Sequence, residues 1–322
     1  MRAVRVHETG EPEVLTLEEV ADPEPGPGEI RVRIAATGVN FVETYQRRGL
    51  YPIDLPATLG VEAAGVIDVL GPGVDGLFAG DPVGYCTSGG TYAELAVVPA
   101  EAVVKLPEGI DPETAGASLQ QGMTAHFLTN DTFPVGPDTT ALVHAAAGGV
   151  GQLLTQMCKL RGARVIATCG SEEKAELVRA LGADEVVVYT KESFGDAVRR
   201  VTDGVGVDVV YDGVGKTTFT EGLSSLRPRG MMVLYGQSSG PVEPVDPQVL
   251  NRHGSLFLTR PTLAHHIARR AELERRAGDL FGWITSGEVK VAIDRTFPLE
   301  HAADAHRYIE GRNTRGKVLL VP

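Results

Sequence analysis

The residues of this 322-residue chain best suited to chemistry form a run of small ones, Ala145-Ala146-Ala147-Gly148-Gly149-Val150-Gly151. The run follows a short apolar stretch, Thr140-Ala141-Leu142-Val143-His144-Ala145, and opens a helical pattern with Val150, Leu153, Leu154 and Met157 on one stripe. Glycines at such a junction let backbone approach a pyrophosphate, and the helix start offers free amides and a partial positive charge. The usual Gly-x-Gly-x-x-Gly order is broken, because Ala146 stands at the first glycine. A tight strand-to-helix turn would look the same, so the choice falls to context, and four further strand–helix units favour a dinucleotide.

About twenty residues on, an NAD site places a carboxylate for the ribose hydroxyls. Here the chain reads Ala167-Thr168-Cys169-Gly170-Ser171, without an acid. Lys174 follows one helical turn later and can meet a 2′-phosphate as a point charge, with Ser171 as a hydroxyl donor. Glu172 and Glu173 are expected to face solvent on the first turn, where acids are favoured. The pattern points to NADP(H). Metal chemistry finds less support. Cys86, Cys158 and Cys169 are an odd, scattered set that suits packing in a reducing compartment. His265 and His266 are neighbours on a helix and diverge, so a solvated pair is expected; His144 reads as a hydrogen-bonded core histidine.

Two kinds of element must position these residues. Up to about Leu119, short alternating strands such as 29–34 and 65–70 are punctuated by Pro25-Gly26-Pro27-Gly28 and Gly71-Pro72-Gly73, which predicts a partly closed antiparallel β body. From Thr139 the rhythm becomes strand–helix. Strands are expected at 140–145, 164–168, 185–188, 207–211, 231–235 and 255–259, a complete doubly wound sheet of six. Runs such as Val186-Val187-Val188 are apolar on both faces, as parallel strands covered by helices require. The tail predicts a charged helix at 264–285, a strand at 289–293, a helix at 299–310 and a strand at 316–321, packing back on the β body. The expected fold class is therefore α/β, a β-rich domain in two segments (residues 1–122 and 262–322) flanking a dinucleotide-binding domain at 123–261.

Composition narrows the partners. A formal charge of −12 repels nucleic acid and anionic lipid at long range, so a bound anion needs a local cluster of donors. No run of eighteen apolar residues is present to span a membrane, and the alternating start, Met1-Arg2-Ala3-Val4-Arg5, lacks the apolar core of a signal peptide. The cytoplasm is the expected home.

These features, with a series of ordered motifs, resemble the medium-chain dehydrogenase/reductase superfamily, and within it the zinc-independent NADPH:quinone oxidoreductases of the zeta-crystallin-like branch. The motifs include Gly38-Val39-Asn40-Phe41 with Thr44-Tyr45, Gly49-Leu50-Tyr51-Pro52, Gly60-Val61-Glu62-Ala63-Ala64-Gly65 and Ala79-Gly80-Asp81-Pro82-Val83. They continue through Gly122-Met123-Thr124-Ala125, the loop beginning at His144, Tyr211-Asp212-Gly213-Val214-Gly215, Leu258-Thr259-Arg260-Pro261 and Gly316-Lys317-Val318-Leu319-Leu320. The resemblance implies a GroES-like catalytic domain interrupted by a Rossmann domain, with the active site in the cleft between them. It places Asn40, Tyr45 and Thr124 around nicotinamide and substrate, and Gly148, Gly149 and Val150 on the pyrophosphate. Gly170, Ser171, Lys174 and Tyr189 would hold the adenosine phosphate. Gly236, Ser238, Ser239, Leu258, Thr259 and Arg260 would line the far side of the cofactor, with Arg312 as an outlying candidate. One departure is Gln120-Gln121, where relatives often carry an apolar residue and a lysine.

Zinc-dependent relatives ligate their metal at positions that here hold Asn40 and Val61, which supply neither thiolate nor imidazole, so no metal is expected. Without a Lewis acid, alcohol oxidation is disfavoured, whereas a quinone or other conjugated carbonyl takes a hydride readily. Tyr45 or Tyr51 would supply a hydrogen bond to that acceptor, or a proton through water, with a structural packing role as the alternative. An enoyl or alkenal reductase is the alternative among enzymes; a crystallin-like NADPH-binding protein with little turnover is the alternative outside them. A homodimer paired along strand 255–259 is expected.

Overall fold

The computed structural model describes residues 1–322. The chain divides into two compact units, one of Met1–Met123, Ile267–Gly287 and Val291–Pro322, the other of Thr124–His266 and Glu288–Lys290.

The second unit is built on strand–helix repeats. Its elements are β9 (Thr140–Val143), α3 (Gly149–Leu160), β10 (Arg164–Cys169), α4 (Glu172–Ala180), β11 (Glu185–Val188) and α5 (Phe194–Val201). They continue with β12 (Val207–Asp212), α6 (Phe219–Ser225), β13 (Leu226–Leu234), α7 (Gln248–Arg252), β14 (Phe257–Thr259) and α8 (Leu263–His266). All six strands are parallel, in the order β11-β10-β9-β12-β13-β14. That is the doubly wound order, with the reversal of direction between β9 and β12. Val187, Val207, Val210, Leu142 and Ile166 are all fully buried in one cluster with Phe194, Leu223 and Met232. Each such side chain contributes roughly 1.5–3 kcal/mol by leaving water. Asp208 is the polar exception near the strand starts. Its carboxylate accepts from the Thr140 amide at 2.7 Å and from Arg227 Nε at 2.6 Å, joining three strands.

The first unit holds β1 (Arg2–Val6), β2 (Thr16–Glu19), β3 (Glu29–Val39), α1 (Phe41–Arg47), β4 (Ala57–Thr58), β5 (Glu62–Leu70), β6 (Pro82–Cys86), β7 (Leu95–Pro99) and β8 (Val103–Lys105). Helix α2 (Pro112–Phe127) then leads toward the second unit, and α9 (Arg270–Ser286), β15 (Ile293–Pro298), α10 (Ala302–Glu310) and β16 (Lys317–Val321) return to the first. A seven-stranded sheet runs β15-β16-β3-β5-β6-β8, with β7 also on β3; β2-β1-β4 form a smaller one. The tail does pack back: β16 lies antiparallel on β3, with Val318 opposite Val39 and Leu320 opposite Thr37.

Three expectations for the tail need correction. The helix expected at 264–285 is two helices, α8 and α9, because the chain changes unit at Ile267 and Arg269 is extended (φ −102°, ψ 134°). The strand expected at 289–293 begins only at Ile293. The backbone of Lys290 is instead paired by one buried side chain: its amide donates to Gln156 Oε1 at 2.8 Å and its carbonyl accepts from Gln156 Nε2 at 3.0 Å. The helix expected from 299 opens with a 3-10 turn, Leu299–His301, before α10.

Candidate active site

Strand β9 ends at Val143 because the chain turns sharply there, with Ala145 in the left-handed region at φ +51°. A non-glycine residue holds that conformation only where its surroundings enforce it. Here the Ala146 amide donates to Thr168 O of β10 at 2.9 Å, and the Gly148 amide closes the turn onto Ala145 O at 2.9 Å. Gly148 then starts α3 from an extended conformation with no side chain capping it. The crowded position is Gly151, where a Cβ would lie 2.4 Å from Ala145 O and 2.7 Å from Ala146 Cα. A hydrogen there lets α3 pack against the turn, so amides at the helix start face the carboxyl ends of the strands. Ala146 replaces the first glycine without strain, fully buried beneath the turn.

Next to it, β10 ends in Cys169-Gly170-Ser171. Ser171 caps α4, its Oγ accepting from the Lys174 amide at 3.4 Å. Lys174 is half-buried on that first turn, and a Cβ on Gly170 would come within 2.7 Å of Tyr189 Oη, so the tyrosine ring lies over the glycine. Glu172 does face outward, but not alone. Lys191 Nζ donates to it at 2.8 Å and both terminal nitrogens of Arg179 donate at 3.0 Å, which holds its carboxyl below the usual range, the Lys191 bond being the largest cause. The Glu172 carboxylate is thereby neutralised by two cations.

The loops after β12 and β13 complete this edge. Asp212 is fully buried and accepts from the amides of Val214 (2.7 Å) and Gly215 (3.0 Å) and from Thr218 Oγ1 (2.8 Å). The Ser238 amide donates to Gly213 O at 3.2 Å and that of Ser239 to Val214 O at 2.8 Å; a Cβ on Gly236 would lie 2.6 Å from Gly213 O. Thus Gly148, Gly149, Val150, Gly170, Ser171, Lys174, Tyr189, Gly236, Ser238 and Ser239 all lie on loops or first helical turns at the carboxyl ends of this one sheet, Tyr189 directly after β11. Leu258 and Thr259 belong to edge strand β14, and Arg260 is exposed just beyond it. Thr124 is half-buried on α2. Arg312 lies in the first unit, at φ +56° before β16.

In the first unit, Asn40 starts α1, with its amide donating to Glu43 Oε2 at 2.8 Å. Tyr45 packs edge-on to Tyr51, ring centroids 5.3 Å apart, and Phe41 lies 6.2 Å from Tyr45. The amides of Leu50 and Tyr51 both donate to Tyr45 O, so a local turn keeps the aromatic rings together. The other end of α1 is fixed by Arg47, fully buried, which donates to both Glu310 oxygens (2.9 and 3.0 Å) and bonds His306 Nδ1 at 3.1 Å. His306 bonds Tyr92 Oη at 3.1 Å, and burial, then Arg47, pushes its pKa down to about 3.

Asn40 is 8% exposed and its amide is engaged inward. Lys317 Nζ donates to its Oδ1 at 2.7 Å and Gln121 Nε2 at 3.4 Å, while its Nδ2 donates to Glu62 Oε2 at 3.2 Å. Lys317 also meets Glu62 at 2.5 Å, and the Gln120 amide donates to Glu62 Oε1 at 2.6 Å. Burial pushes Glu43, which accepts from the Val61 amide as well, up to about 7 against the pull of Lys317. Sequence reasoning named Asn40 but not the buried charged residues around α1, Glu43, Glu62, Arg47 and Lys317. The glutamate and lysine stood inside quoted motifs, yet nothing local marked them as partners.

His144 is buried as expected, with Nδ1 on Thr168 Oγ1 at 3.0 Å. The solvated reading of His266 is corrected: its ring stacks on Phe127 with centroids 4.1 Å apart and planes 9° apart. All three cysteines are buried and unbridged.

Two family models match the chain, an alcohol dehydrogenase GroES-like domain over residues 26–108 and a zinc-binding dehydrogenase over 149–278. The residues do not fit the metal in the second description. An ammonium occupies Asn40 Oδ1, Val61 has no donor side chain, and no group of three or more His, Cys, Asp or Glu side chains is arranged to hold an ion. A quinone oxidoreductase of Salmonella typhimurium is 43% identical over 323 residues, 99% of each chain. A 2-haloacrylate reductase of a Burkholderia species is 41% identical over 329 residues, 99% of this chain and 98% of its own. The crystal structure of Escherichia coli quinone oxidoreductase complexed with NADPH superimposes with a TM-score of 0.98 at 40% identity, covering 100% of both chains.

Proposed function

We propose, for a chain that belongs to the quinone oxidoreductase family of the medium-chain dehydrogenases/reductases, an NADPH-dependent reduction of quinones that uses no metal. The observation that carries the cofactor is the end of β10: no acid, Ser171 and Lys174 on the first turn of α4, and Glu172 drawn away by Arg179 and Lys191. A 2′-phosphate would be met there by Lys174, and the pyrophosphate by the amides at Gly148, Gly149 and Val150. Gly236, Ser238, Ser239, Leu258, Thr259 and Arg260 are proposed for the rest of the dinucleotide, and Arg312 for its margin.

When bound, NADPH supplies the hydride, and with one proton from solvent a quinone becomes a hydroquinone. The protein contributes position. Tyr45 and Tyr51, packed edge to face, offer aromatic surface to a flat acceptor, and a phenolic hydroxyl donates to the carbonyl oxygen on which charge develops. A quinol oxyanion is delocalised and weakly basic, so it needs no strong acid beside it. Thr124 is proposed for the nicotinamide, and Asn40 for holding the start of α1 rather than for touching substrate. The similarity to a 2-haloacrylate reductase favours a second reading, hydride delivery to an activated carbon–carbon double bond.

Steady-state NADPH oxidation against quinones, 2-haloacrylates, enones and aldehydes separates the two readings. Quinones are expected to give the highest kcat/KM. A clear preference for haloacrylates or enones transfers the assignment to the second reading, and NADPH binding without turnover on any acceptor leaves a cofactor-binding protein.

The domain division proposed is 1–122, 123–261 and 262–322. A homodimer through β14 is proposed because that edge leaves Phe257 57% and Leu258 36% exposed, with unpaired backbone beside them. A monomer in sedimentation at micromolar concentration contradicts it. No helix is long and apolar enough to cross a membrane, and three unbridged cysteines suit a reducing compartment, so the cytoplasm is proposed.

A further inference from the structure

Three charged side chains that no mechanism above requires, Glu43, Glu62 and Lys317, form one buried cluster in the β-rich unit with the side-chain amide of Asn40. Glu43 and Glu62 are 0% and Lys317 1% exposed, so the charges are out of water. Isolated, each would be costly to bury, and such charges persist where every one is paired and hydrogen-bonded. Lys317 sits at the centre, on Glu62 Oε2 at 2.5 Å and Asn40 Oδ1 at 2.7 Å. A mere ion pair would leave the asparagine out.

The same contacts join three separated segments. Asn40 is the cap of α1, which carries Tyr45; Glu62 begins β5; and the other Glu62 oxygen takes the Gln120 amide in α2. Gln121, the next residue of α2, reaches Asn40 Oδ1 from the other side. One ammonium thus fixes the rotamer of Asn40, and with it the start of the helix that presents the aromatic wall. Gly38 shows how little slack there is. A Cβ on it would lie 2.6 Å from Lys317 Cε and inside contact distance of Glu62.

We propose that Lys317 is a positioning residue. Through Asn40 and Glu62 it holds α1 and α2 so that Tyr45 meets the acceptor in reactive geometry, without itself touching substrate. The inference rests on the reductase reading above. Its consequence is a defect in kcat rather than in NADPH affinity, because the loops at the ends of the parallel sheet are built from their own residues.

The test compares Lys317→Met, Glu62→Gln and the double variant, each assayed by single-turnover NADPH oxidation with a good quinone and by urea unfolding. Lys317→Met is expected to lose about 100-fold in the reductive step, the size of effect an ångström of misplacement produces. Its NADPH dissociation constant should stay within about threefold of wild type, a change of no more than about one RT. It also strands a buried carboxylate and so loses stability. The double variant no longer strands the Glu62 carboxylate, so below pH 7, where Glu43 is protonated, it should regain stability while the reductive step stays slow. Recovery of both together would show a structural ion pair only and overturn the proposal, as would an unimpaired rate in either folded variant.

A readout on the wild type stands apart from turnover. The Asn40 side-chain amide, assigned by its loss in Asn40→Asp, should exchange slowly with solvent and give ¹H–¹⁵N signals displaced from those of free asparagine. A rapidly exchanging amide at the shifts of free asparagine overturns the positioning role even if no acceptor is ever reduced. An ordered amide without turnover retires the reductase reading and leaves the clamp itself in place.

Discussion

In the parallel-sheet unit, the atoms proposed for a dinucleotide are largely main-chain ones, and they are placed by what side chains leave out: Gly148 and Gly151 at the start of α3, Gly170 under Tyr189, Gly236 against Gly213. In the β-rich unit, the candidate substrate residues are placed by what side chains put in. Asn40 is held by Lys317 and Glu62, and the far end of α1 by Arg47, Glu310 and His306. The contrast follows from the substrates. A pyrophosphate is recognised by amides that any helix start possesses, given room to approach. A small flat acceptor offers few handles, so the protein must keep its own aromatic wall still, and buried charges with full hydrogen bonding resist displacement strongly.

The largest effect should come from breaking the charged side of this contrast. Arg47→Ala leaves the Glu310 carboxylate and the His306–Tyr92 pair without their central cation, and should cost roughly 3–5 kcal/mol in urea unfolding. A loss below about 1 kcal/mol, the scale of a surface pair, would show that the cluster does not anchor α1.

Glu43 gives a pH signature of unusual sign. Its carboxyl titrates near 7 in the folded protein against 4.5 ordinarily, because burial penalises the charge. Between those values the native protein keeps a proton that the unfolded chain releases. The contribution is therefore fully present below pH 4.5 and is lost as pH rises to 7, by roughly 3 kcal/mol. The difference in unfolding free energy between wild type and Glu43→Gln, followed from pH 5 to 8, should change by an amount of that order. A difference independent of pH contradicts the assignment.

On the cofactor side, Lys174→Ala should weaken NADPH by roughly 1.5–3 kcal/mol and NADH far less, since only the former carries the 2′-phosphate. Fluorescence titration with both cofactors checks this, and equal losses would remove Lys174 from the phosphate site. Gly151→Ala should weaken both cofactors alike, by roughly 1–3 kcal/mol, as the added Cβ forces α3 away from the turn. Retained affinity for both would show that the loop tolerates a side chain.

Tyr45→Phe should have the smallest effect. It removes a hydroxyl but keeps the ring packed on Tyr51, so single-turnover reduction of a quinone should slow less than about tenfold, below the range of true general acids. A thousandfold loss would make Tyr45 a catalytic acid.

The alternation of apolar strands with one-sided helices, the small-residue turn after β9 and the missing acid after β10 were all readable in the residues. Each is a local pattern, with a period of two or 3.6 residues or a fixed offset along the chain. Boundaries failed where the chain changes unit: 289–293 reads as a strand, but residues 288–290 belong to the parallel-sheet unit and find their partner in the side chain of Gln156. His266 reads as solvated because its helix neighbours do not include Phe127, on which it stacks.

The clusters that fix α1 were decided by tertiary structure alone. Lys317 is 277 residues from Asn40 and 255 from Glu62, and Arg47 is 263 from Glu310. By composition rules, Lys, Arg and Glu belong on the surface. Only folding brings opposite charges close enough to make their burial tolerable, because the attraction that offsets lost hydration depends on distance in space and leaves no period in the chain.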